Sequence, residues 1–511
     1  MRPVRFVQRL QSSNRMRFPV WVLMPRGRRG HTAGKPSAWK RVAAFLVVSF
    51  LICATAATVA SAQTTFTSLF SFAGTNGANP HYVYLVQGID GNLYGTTYVS
   101  TGSGGTVFKI STGGALSTLY TFCVHGLPCT DGAQPTAGLV LASNGNFYGT
   151  TTNGGTNGDG TVFQITAAGN LTTRHSFDST DGGQPEVGLI QASNGKLYGT
   201  TSGGGTSSVG TIFAITTAGT LTSLLSFNGT NGDYPDARLV QGKDGNFYGT
   251  TYQGSADSGT VFRMTAAGKL TTLHKFDGLD GGGPTGALIQ ATNGNFYGTT
   301  SGSRSGGGGT VFQITPAGAL TTLYNFCSKS NCTDGSTPNA GLIQATDGKL
   351  YGTTFAGGSN TTSCSGGCGT IFKITTGGAL TTLYNFCSQS GCTDGNSPDE
   401  GLVQDTNGTF YGTTYYGGTD GLGTIFSLST GLGAFVETLP GSGKVGAKVT
   451  ILGTNLTGTT SVSFNGTGAT FKVVSSSEIT TTVPTGATTG TVEVTTPGGT
   501  FKSNVKFRVT P

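Results

Sequence analysis

The sequence predicts an all-β protein: a seven-bladed β-propeller followed by a small immunoglobulin-like β-sandwich. Three observations lead to this expectation. The phrase Tyr-Gly-Thr-Thr occurs seven times, beginning at Tyr94, Tyr148, Tyr198, Tyr248, Tyr297, Tyr351 and Tyr411. Turn-forming residues separate four β-compatible runs in each copy, and no segment of the repeats shows helical periodicity. The last stretch, residues 434–511, leaves the repeat and has short alternating runs of its own.

Residues 1–62 are predicted to be a signal peptide with a long basic region. They hold 11 Lys and Arg and no Asp or Glu, and an apolar run from Arg41 ends in Ala60-Ser61-Ala62. This order is typical of an export signal cleaved before Gln63, with Met16 or Met24 as alternative starts. A retained anchor formed by residues 42–62 is the alternative. Lipid attachment at Cys53 is disfavoured because the bulky Ile52 precedes it.

Charge and cysteine content agree with export. The net charge of +7 becomes 18 − 22 = −4 once residues 1–62 are removed, so nucleic acid is not an expected partner. An even number of cysteines in close pairs, on an exported chain, indicates disulfides. A metal site would require two pairs to converge. The four predicted bridges join Cys123 to Cys129, Cys327 to Cys332, Cys364 to Cys368 and Cys387 to Cys392.

Each repeat is expected to form one four-stranded blade with strands A to D. A Gly-Leu-Ile-Gln run reaches the Tyr-Gly-Thr-Thr run through Asn-Gly or Asp-Gly, which is a strong hairpin signal. A Gly-Thr-Val-Phe run and a Leu-Thr-Thr-Leu run follow as strands C and D. Seven such units of about 50 residues favour a propeller over residues 63–433. The seventh copy lacks strand D, and residues 64–72 match that strand, so they are predicted to close the ring.

The repeat pattern resembles the GloVer tandem repeat of exported bacterial proteins over residues 64–433. That resemblance implies export and surface display; it brings no established activity and no functional residue. The tail, predicted as a domain over residues 434–511, resembles the IPT/TIG immunoglobulin-like domain, which implies a spacer or interaction module. The tail residues that carry the resemblance are Pro440, Gly443, Gly446, Val449, Ile451, Gly453, Asn455, Leu456, Val462, Phe464, Gly466, Ile479, Val483, Pro484 and Phe507.

The B–C and D–A loops are predicted to share one face of the propeller, where binding is expected. The cysteines lie in its longest loops, and we expect the loop at 355–368 to contact the ligand; the alternative is that long loops are bridged because they are long. Polar residues that recur on strands and turns receive structural interpretations. The Gln of strand A, which could form a polar ring around a central channel, is expected to bond to neighbouring backbone. The phrase tyrosines, which could stack on sugars, are expected to pack between blades. The Asp/Asn-Gly turns, which could bind calcium, are favoured as plain turns: Asn76, Asp131, Asp181, Asn231, Asp280, Asp334 and Asp394.

No catalytic motif is present, and we assign no catalytic, cofactor or metal residue. The sequence has neither G-x-S-x-G nor H-E-x-x-H, and the histidines (His81, His125, His175, His274) do not recur at equivalent positions. The favoured function is an exported, non-enzymatic binding or structural protein, secreted or on the cell surface, with carbohydrate or a cell-envelope polymer as partner. A glycosidase or lyase is the alternative, and its carboxylates would have to converge from non-repeated residues such as Glu186, Asp236, Arg238, Asp399 and Glu400.

Overall fold

The computed structural model describes residues 64–254, 258–302 and 307–511, so the predicted signal peptide lies outside the described residues. Seven sheets of four antiparallel strands form the blades of a propeller, which confirms the predicted fold class. We number the blades by the order of their Tyr-Gly-Thr-Thr phrases. In every blade the chain passes from strand A to strand D in order, except that the last blade takes its strand D from the start of the described chain.

The strands differ systematically in length. The A strands are Val86–Gln87, Val140–Leu141, Ile190–Gln191, Val240–Gln241, Ile289–Gln290, Ile343–Gln344 and Val403–Gln404. The B strands are Leu93–Thr97, Phe147–Thr151, Leu197–Thr201, Phe247–Thr251, Phe296–Thr300, Leu350–Thr354 and Phe410–Thr414. The C strands are Thr106–Ile110, Thr161–Ile165, Thr211–Ile215, Thr260–Met264, Thr310–Ile314, Thr370–Ile374 and Thr424–Ser429. The D strands are Leu116–Thr121, Leu171–Ser176, Leu221–Ser226, Leu270–Lys275, Leu320–Asn325, Leu380–Asn385 and Thr65–Ser71.

Thr65–Ser71 closes the ring as the sequence predicts. It pairs antiparallel with Thr424–Ser429, and the register runs from Thr65 opposite Ser429 to Ser71 opposite Thr424. Closure in this manner joins the first and last segments of the propeller and removes an unpaired sheet edge. The two 3-10 turns, Ser330–Cys332 and Ser390–Cys392, lie in D–A loops.

The repeated phrase is strand B, and its residues are used for packing. Each B strand is buried along its whole length. In four blades the tyrosine stacks on an aromatic ring of the next blade, as Tyr94 does on Phe147 with 4.1 Å between ring centroids. The glycine is required because a Cβ at Gly149 would lie 2.5 Å from Phe163 Cζ. The second threonine, for example Thr151, shares a hydrogen bond of 2.8 Å with Thr161 of strand C.

The strand A glutamines join neighbouring blades, which confirms their structural interpretation. The side-chain oxygen of Gln290 accepts a hydrogen bond of 2.8 Å from the Lys243 N–H in the preceding blade. The bond at the ring closure is equivalent, since Gln87 accepts from the Thr406 N–H at 3.0 Å. Leu141 is the exception in this series, and it packs instead in a cluster with Leu439 and Leu452 of the tail.

The tail is a sandwich of two four-stranded sheets and a short parallel pair. One sheet contains Glu437–Leu439, Lys448–Leu452, Glu478–Thr482 and Phe471–Val473; the other contains Thr467–Gly468, Ser461–Phe464, Val492–Thr496 and Gly499–Lys502. Ser442–Gly443 pairs with Arg508–Val509. The sandwich has its own buried core, which includes Val449, Ile479 and Phe507. The part of the chain that the structure describes contains no helix of the length and apolarity that membrane crossing demands.

Candidate functional site

Polar residues that differ between the blades converge where the D–A loops reach the propeller axis. Each D–A loop ends in a proline, and the residue after that proline is polar in all seven copies. The neighbouring B–C loops share this face, because the two loops of a blade form a bridge, such as Ala133 with Asn153. This ring of post-proline residues is His81, Thr136, Glu186, Asp236, Thr285, Asn339 and Asp399.

A cavity of about 430 Å³ opens among these loops on the side of blades 1, 2, 3 and 7, and we call it the mouth pocket. This volume lies in the range of small-molecule sites, about 300–1,000 Å³. Four rings surround it, since the centroid of the His81 ring lies 4.1 Å from that of Tyr82, 5.0 Å from Tyr415 and 5.8 Å from Tyr98. The other lining residues are Glu186, Gln134, Thr136, Thr152, Asn153 and Gln184.

His81 belongs to a hydrogen-bonded chain across three blades. Its Nε2 lies 3.1 Å from Asp399 Oδ2, and Asn339 Nδ2 donates to Asp399 Oδ1 at 3.1 Å. Burial raises the pKa of Asp399, against the effects of His81 and Asn339. Burial lowers the pKa of His81, against the effect of Asp399. Both directions favour the uncharged forms, so a proton can be exchanged between the two residues at the edge of the pocket.

Two further carboxyl groups follow along the ring. Burial, with Glu186 and Asp233 nearby, raises the pKa of Asp236 to about 8, and burial also raises that of Glu186. Tyr82 lies in the field of four carboxylates, and burial together with that field raises the pKa of its hydroxyl well above the usual value. The pocket is therefore a region of strongly negative potential whenever these acids are ionised.

Below this ring, Tyr84 and Arg238 fill the axis. The Arg238 guanidinium lies 4.6 Å from the centroid of the Tyr84 ring. Glycines face the pair, and a Cβ at Gly341 would lie 2.7 Å from the Tyr84 hydroxyl. Burial raises the pKa of Glu400 to about 7, against the hydrogen bonds donated by Tyr84 and by a backbone N–H.

Tyr84 and Arg238 also line a second cavity of about 370 Å³, at the end of the propeller axis opposite the mouth pocket. Strand A residues of the blades bound this lower cavity, together with Glu437, Leu439, Leu452 and Asn504 of the tail. Ser477 Oγ donates to the Ile89 carbonyl at 2.8 Å, which fixes the tail to the turns at this end of the propeller. The tail thus covers the lower opening of the axis.

The repeated phrase supports the site as well as the blades. Its first threonine donates to the backbone of the next blade beside the ring, as Thr353 Oγ1 does to the Glu400 carbonyl at 3.0 Å. Ring residues also hold each other, since Thr136 Oγ1 donates to the Glu186 carbonyl at 3.0 Å. The invariant scaffold therefore positions the residues that vary.

All five non-repeated residues named from the sequence, Glu186, Asp236, Arg238, Asp399 and Glu400, lie in this axial region. Sequence reasoning missed Tyr82, Tyr84, Tyr98 and Tyr415, and it gave His81 no role. Alignment of the copies at the proline would have exposed the ring, because that column holds five different polar residue types among seven copies.

The expectation that no histidine recurs is wrong for two of them. His175 and His274 occupy the same register of strand D, opposite Val162 and Val261. Each has its Nε2 near the aspartate of the following turn, at 2.7 Å for Asp181 and 2.6 Å for Asp280. In other blades a tyrosine takes this place, as Tyr120 does with Asp131 at 2.9 Å. The five Asp-Gly turns therefore anchor their loops to strand D, which the sequence did not predict. The two Asn-Gly turns bond to the backbone of their own loops, as the turn interpretation predicts.

The four cysteine pairs are bonded as predicted. Two of the bridges converge, since the four Sγ atoms of Cys364, Cys368, Cys387 and Cys392 lie within 4.8 Å of one another. Bonded in pairs, these sulfurs offer no thiolate to a metal. The loop at 355–368 does not line the mouth pocket, so its contact with a ligand stays a prediction.

Family comparisons agree with this architecture. The Gloeobacter/Verrucomicrobia repeat model matches residues 55–193, 181–365 and 328–450. The chain belongs to the Gloeobacter/Verrucomicrobia repeat family. The IPT/TIG domain model matches residues 436–509 of this family member. No curated protein sequence matches the chain.

Solved structures similar to this Gloeobacter/Verrucomicrobia repeat protein have low identity. A fungal alcohol oxidase of the AA5 family in complex with copper has 13% identity and a TM-score of 0.48, covering 88% of this chain and 99% of its own. The periplasmic gluconolactonase of Pseudomonas aeruginosa has 17% identity and a TM-score of 0.41, covering 67% and 97%. An auxiliary nutrient binding protein of Bacteroides thetaiotaomicron has 13% identity and a TM-score of 0.39, covering 72% and 76%. None of these likenesses bears on function.

Proposed function

We propose that this protein is an exported binding protein whose mouth pocket takes a saccharide. The observation that carries the proposal is the ring of post-proline residues, which differ from blade to blade around an open pocket while the strands beneath them repeat. The residues that pack the blades recur from copy to copy, whereas the post-proline residues change their type. Four disulfides in the described chain support an oxidising location outside the cytoplasm.

The chemistry of the lining suits a sugar. Tyr82, Tyr98 and Tyr415 offer aromatic faces for the apolar C–H side of a pyranose ring. Glu186 and the amides of Gln134, Asn153 and Gln184 offer acceptors and donors for hydroxyl groups. A largely pre-formed pocket with a few converging polar groups is the usual form of a small-ligand site.

A carbohydrate-active enzyme is the second candidate, and one observation favours it. The pKa values of Asp236 and Glu400, raised to about 8 and about 7, leave protonated carboxyl groups at neutral pH, as a general acid requires. Neutral His81 would then act as the base.

Glycan-array screening of the full secreted chain tests the proposal, with a parallel assay for released oligosaccharide. Tyr415→Ala should weaken binding of the best glycan by about ten-fold, because a lost sugar–aromatic contact is worth roughly 1 kcal/mol or more. Tyr252→Ala is the matched control, since Tyr252 follows the phrase of blade 4 as Tyr415 follows that of blade 7, yet it does not line the pocket.

Each outcome of the screen is decisive. Binding that depends on Tyr415 but not on Tyr252 supports the proposal, and release of oligosaccharide would replace it with the enzymatic candidate. Absence of glycan binding, or binding equally sensitive to both variants, contradicts the mouth pocket as a saccharide site and favours a structural role.

A further inference from the structure

The charges around the mouth pocket do not balance. Glu186 lines the pocket, Asp236 and Asp399 follow it in the ring, and Glu400 lies beside Asp399 in the chain. Among the described residues that face these acids, the cationic side chains are Arg238 and, when protonated, His81. Arg238 lies over Tyr84 and lines the lower cavity, while His81 is held by Asp399. The pocket therefore has an excess of acidic groups with no cation of its own on the side of Glu186 and Asp236.

Two polar atoms in this region have no partner in the described chain. Asp236 Oδ1 and His81 Nδ1 are both buried without a hydrogen bond. Such an atom costs free energy unless a proton or a ligand satisfies it. Once Asp236 is ionised, its carboxylate oxygen can only accept, so a ligand group that satisfies it is a donor.

The rings around the pocket favour a cation as that donor. Tyr82 and Tyr415 flank His81 on one side of the pocket, and Tyr98 lies within 5.8 Å of the same ring. An ammonium group is attracted by aromatic faces, and more strongly where it is desolvated. Aromatic faces and acidic groups meet in the same cavity, and an ammonium group is the one donor suited to both.

We infer, on the basis of the proposed saccharide function, that the ligand is an amino sugar with a free ammonium group, which contacts Glu186 in the mouth pocket, on the side where Asp236 follows Glu186 in the ring. The N-acetylated form of the same sugar is disfavoured, because its amide is neutral and bulkier and gives the acidic groups no counter-charge when they ionise.

Binding should then be coupled to proton release. The groups that act on Asp236 are Glu186 and Asp233, and with burial they raise its pKa to about 8, so the empty site carries a proton on Asp236 at pH 7. The Tyr82 hydroxyl lies in the field of the same carboxyl group. A bound ammonium group lowers the pKa of Asp236 and expels the proton. For a ligand whose amine stays charged over this range, such as spermidine, affinity should accordingly rise with pH from about 6 towards 8, whereas an amino sugar, which loses its own proton in the same range, should show a smaller rise.

Calorimetry with two oligosaccharides of equal length tests the inference: glucosamine oligomers and N-acetylglucosamine oligomers, at pH 7 and low salt. The Kd for the glucosamine oligomer should be at least ten-fold lower. Glu186→Gln and Asp236→Asn should each reduce that preference to about three-fold or less. Asp420→Asn, which removes an exposed acid of a B–C loop, should leave the preference unchanged. Heats measured in buffers of different ionisation enthalpy should show release of up to one proton, which Asp236→Asn abolishes.

The results separate the two proposals. Equal affinity for both oligomers, or a preference that survives in both acid variants, overturns the ammonium inference and leaves the saccharide proposal intact. Binding of spermidine or choline with no binding of either oligomer supports the cation site and overturns the saccharide function. If none of the probes binds, both the ammonium inference and the saccharide proposal are overturned. Thermal melts of each variant establish that a loss of preference comes from a folded protein.

Discussion

The phrase of strand B and the ring of post-proline residues lie in the same blades and follow opposite rules. Strand B repeats with little change, and each of its residues is accounted for by a ring stack, a close approach or a threonine hydrogen bond. The post-proline residue is polar in each copy but changes its type from blade to blade. In this closed repeat protein, the residues that are the same in every copy are therefore those that pack the blades. The residues near the axis that differ between copies form the candidate site.

The largest expected loss of stability comes from a substitution in strand B, the repeated part of this comparison. Gly199→Val should lower the free energy of unfolding by about 3 kcal/mol, because even a Cβ at this position would lie 2.6 Å from Leu189 Cδ2 and Phe213 Cζ. Chemical denaturation measures the loss. Gly302→Ala is the control, since a Cβ there meets nothing within 4 Å, and its effect should stay below about 0.5 kcal/mol. Equal losses in the two variants would contradict the packing explanation.

The next effect is of opposite sign and concerns the ring. Asp236 has a folded-state pKa of about 8, above its ordinary value of 3.8, so the folded state binds more protons and stability falls as pH rises between those values. Asp236→Asn should remove this loss and stabilise the protein by about 2 kcal/mol or more at pH 8, with little gain at pH 4.

Thermal unfolding of the Asp236→Asn variant from pH 4 to pH 9 measures this gain, with the exposed Asp420→Asn as control. If Asp236→Asn gains stability and loses ligand preference, the ring differs from strand B in a second way. Residues of a functional site commonly lower stability, whereas packing residues raise it. A gain that does not vary with pH would contradict the ionisation argument.

A smaller loss of stability is expected when a hydrogen bond between neighbouring blades is removed and the strands are left unchanged. Gln290→Leu should cost about 1 kcal/mol, since it leaves the Lys243 N–H without its acceptor near the surface, where water can partly replace it. Gln389→Ala, at an exposed loop position, is the control for a denaturation experiment. In blade 2, Leu141 occupies the strand A position that is Gln in the other blades, and it packs with Leu439 and Leu452 of the tail. Leucine is therefore tolerated at this strand A position where an apolar partner is present.

Much of the fold could be predicted because its determinants are local. Asn-Gly pairs such as Asn194-Gly195 specify hairpins within a few residues, and the match of residues 64–72 to strand D reveals the closure. His175 and His274 have equivalent places that are also local, since each lies opposite the valine of the Gly-Thr-Val-Phe run in its own blade, but this equivalence appears only in the strand register.

The site could be predicted only in part because it is assembled across blades. Glu186, Asp236 and Asp399 were recognisable as non-repeated acids, yet their meeting depends on the closure of the ring. Tyr84 reaches the axis because the first copy has one residue more than the others between its proline and strand A, and because glycines at 341 and 401 leave room for its ring and hydroxyl. A three-dimensional fit of this kind leaves no periodic signal in the sequence.

The filled axis has a consequence for any polymeric ligand. Tyr84 and Arg238 occupy the centre, and the tail covers the end opposite the loops. A polysaccharide therefore cannot thread through the ring. Under the proposed saccharide function, a polysaccharide would reach the mouth pocket from the loop face alone. Chain length beyond what the pocket and its neighbouring loops contact should then add little affinity.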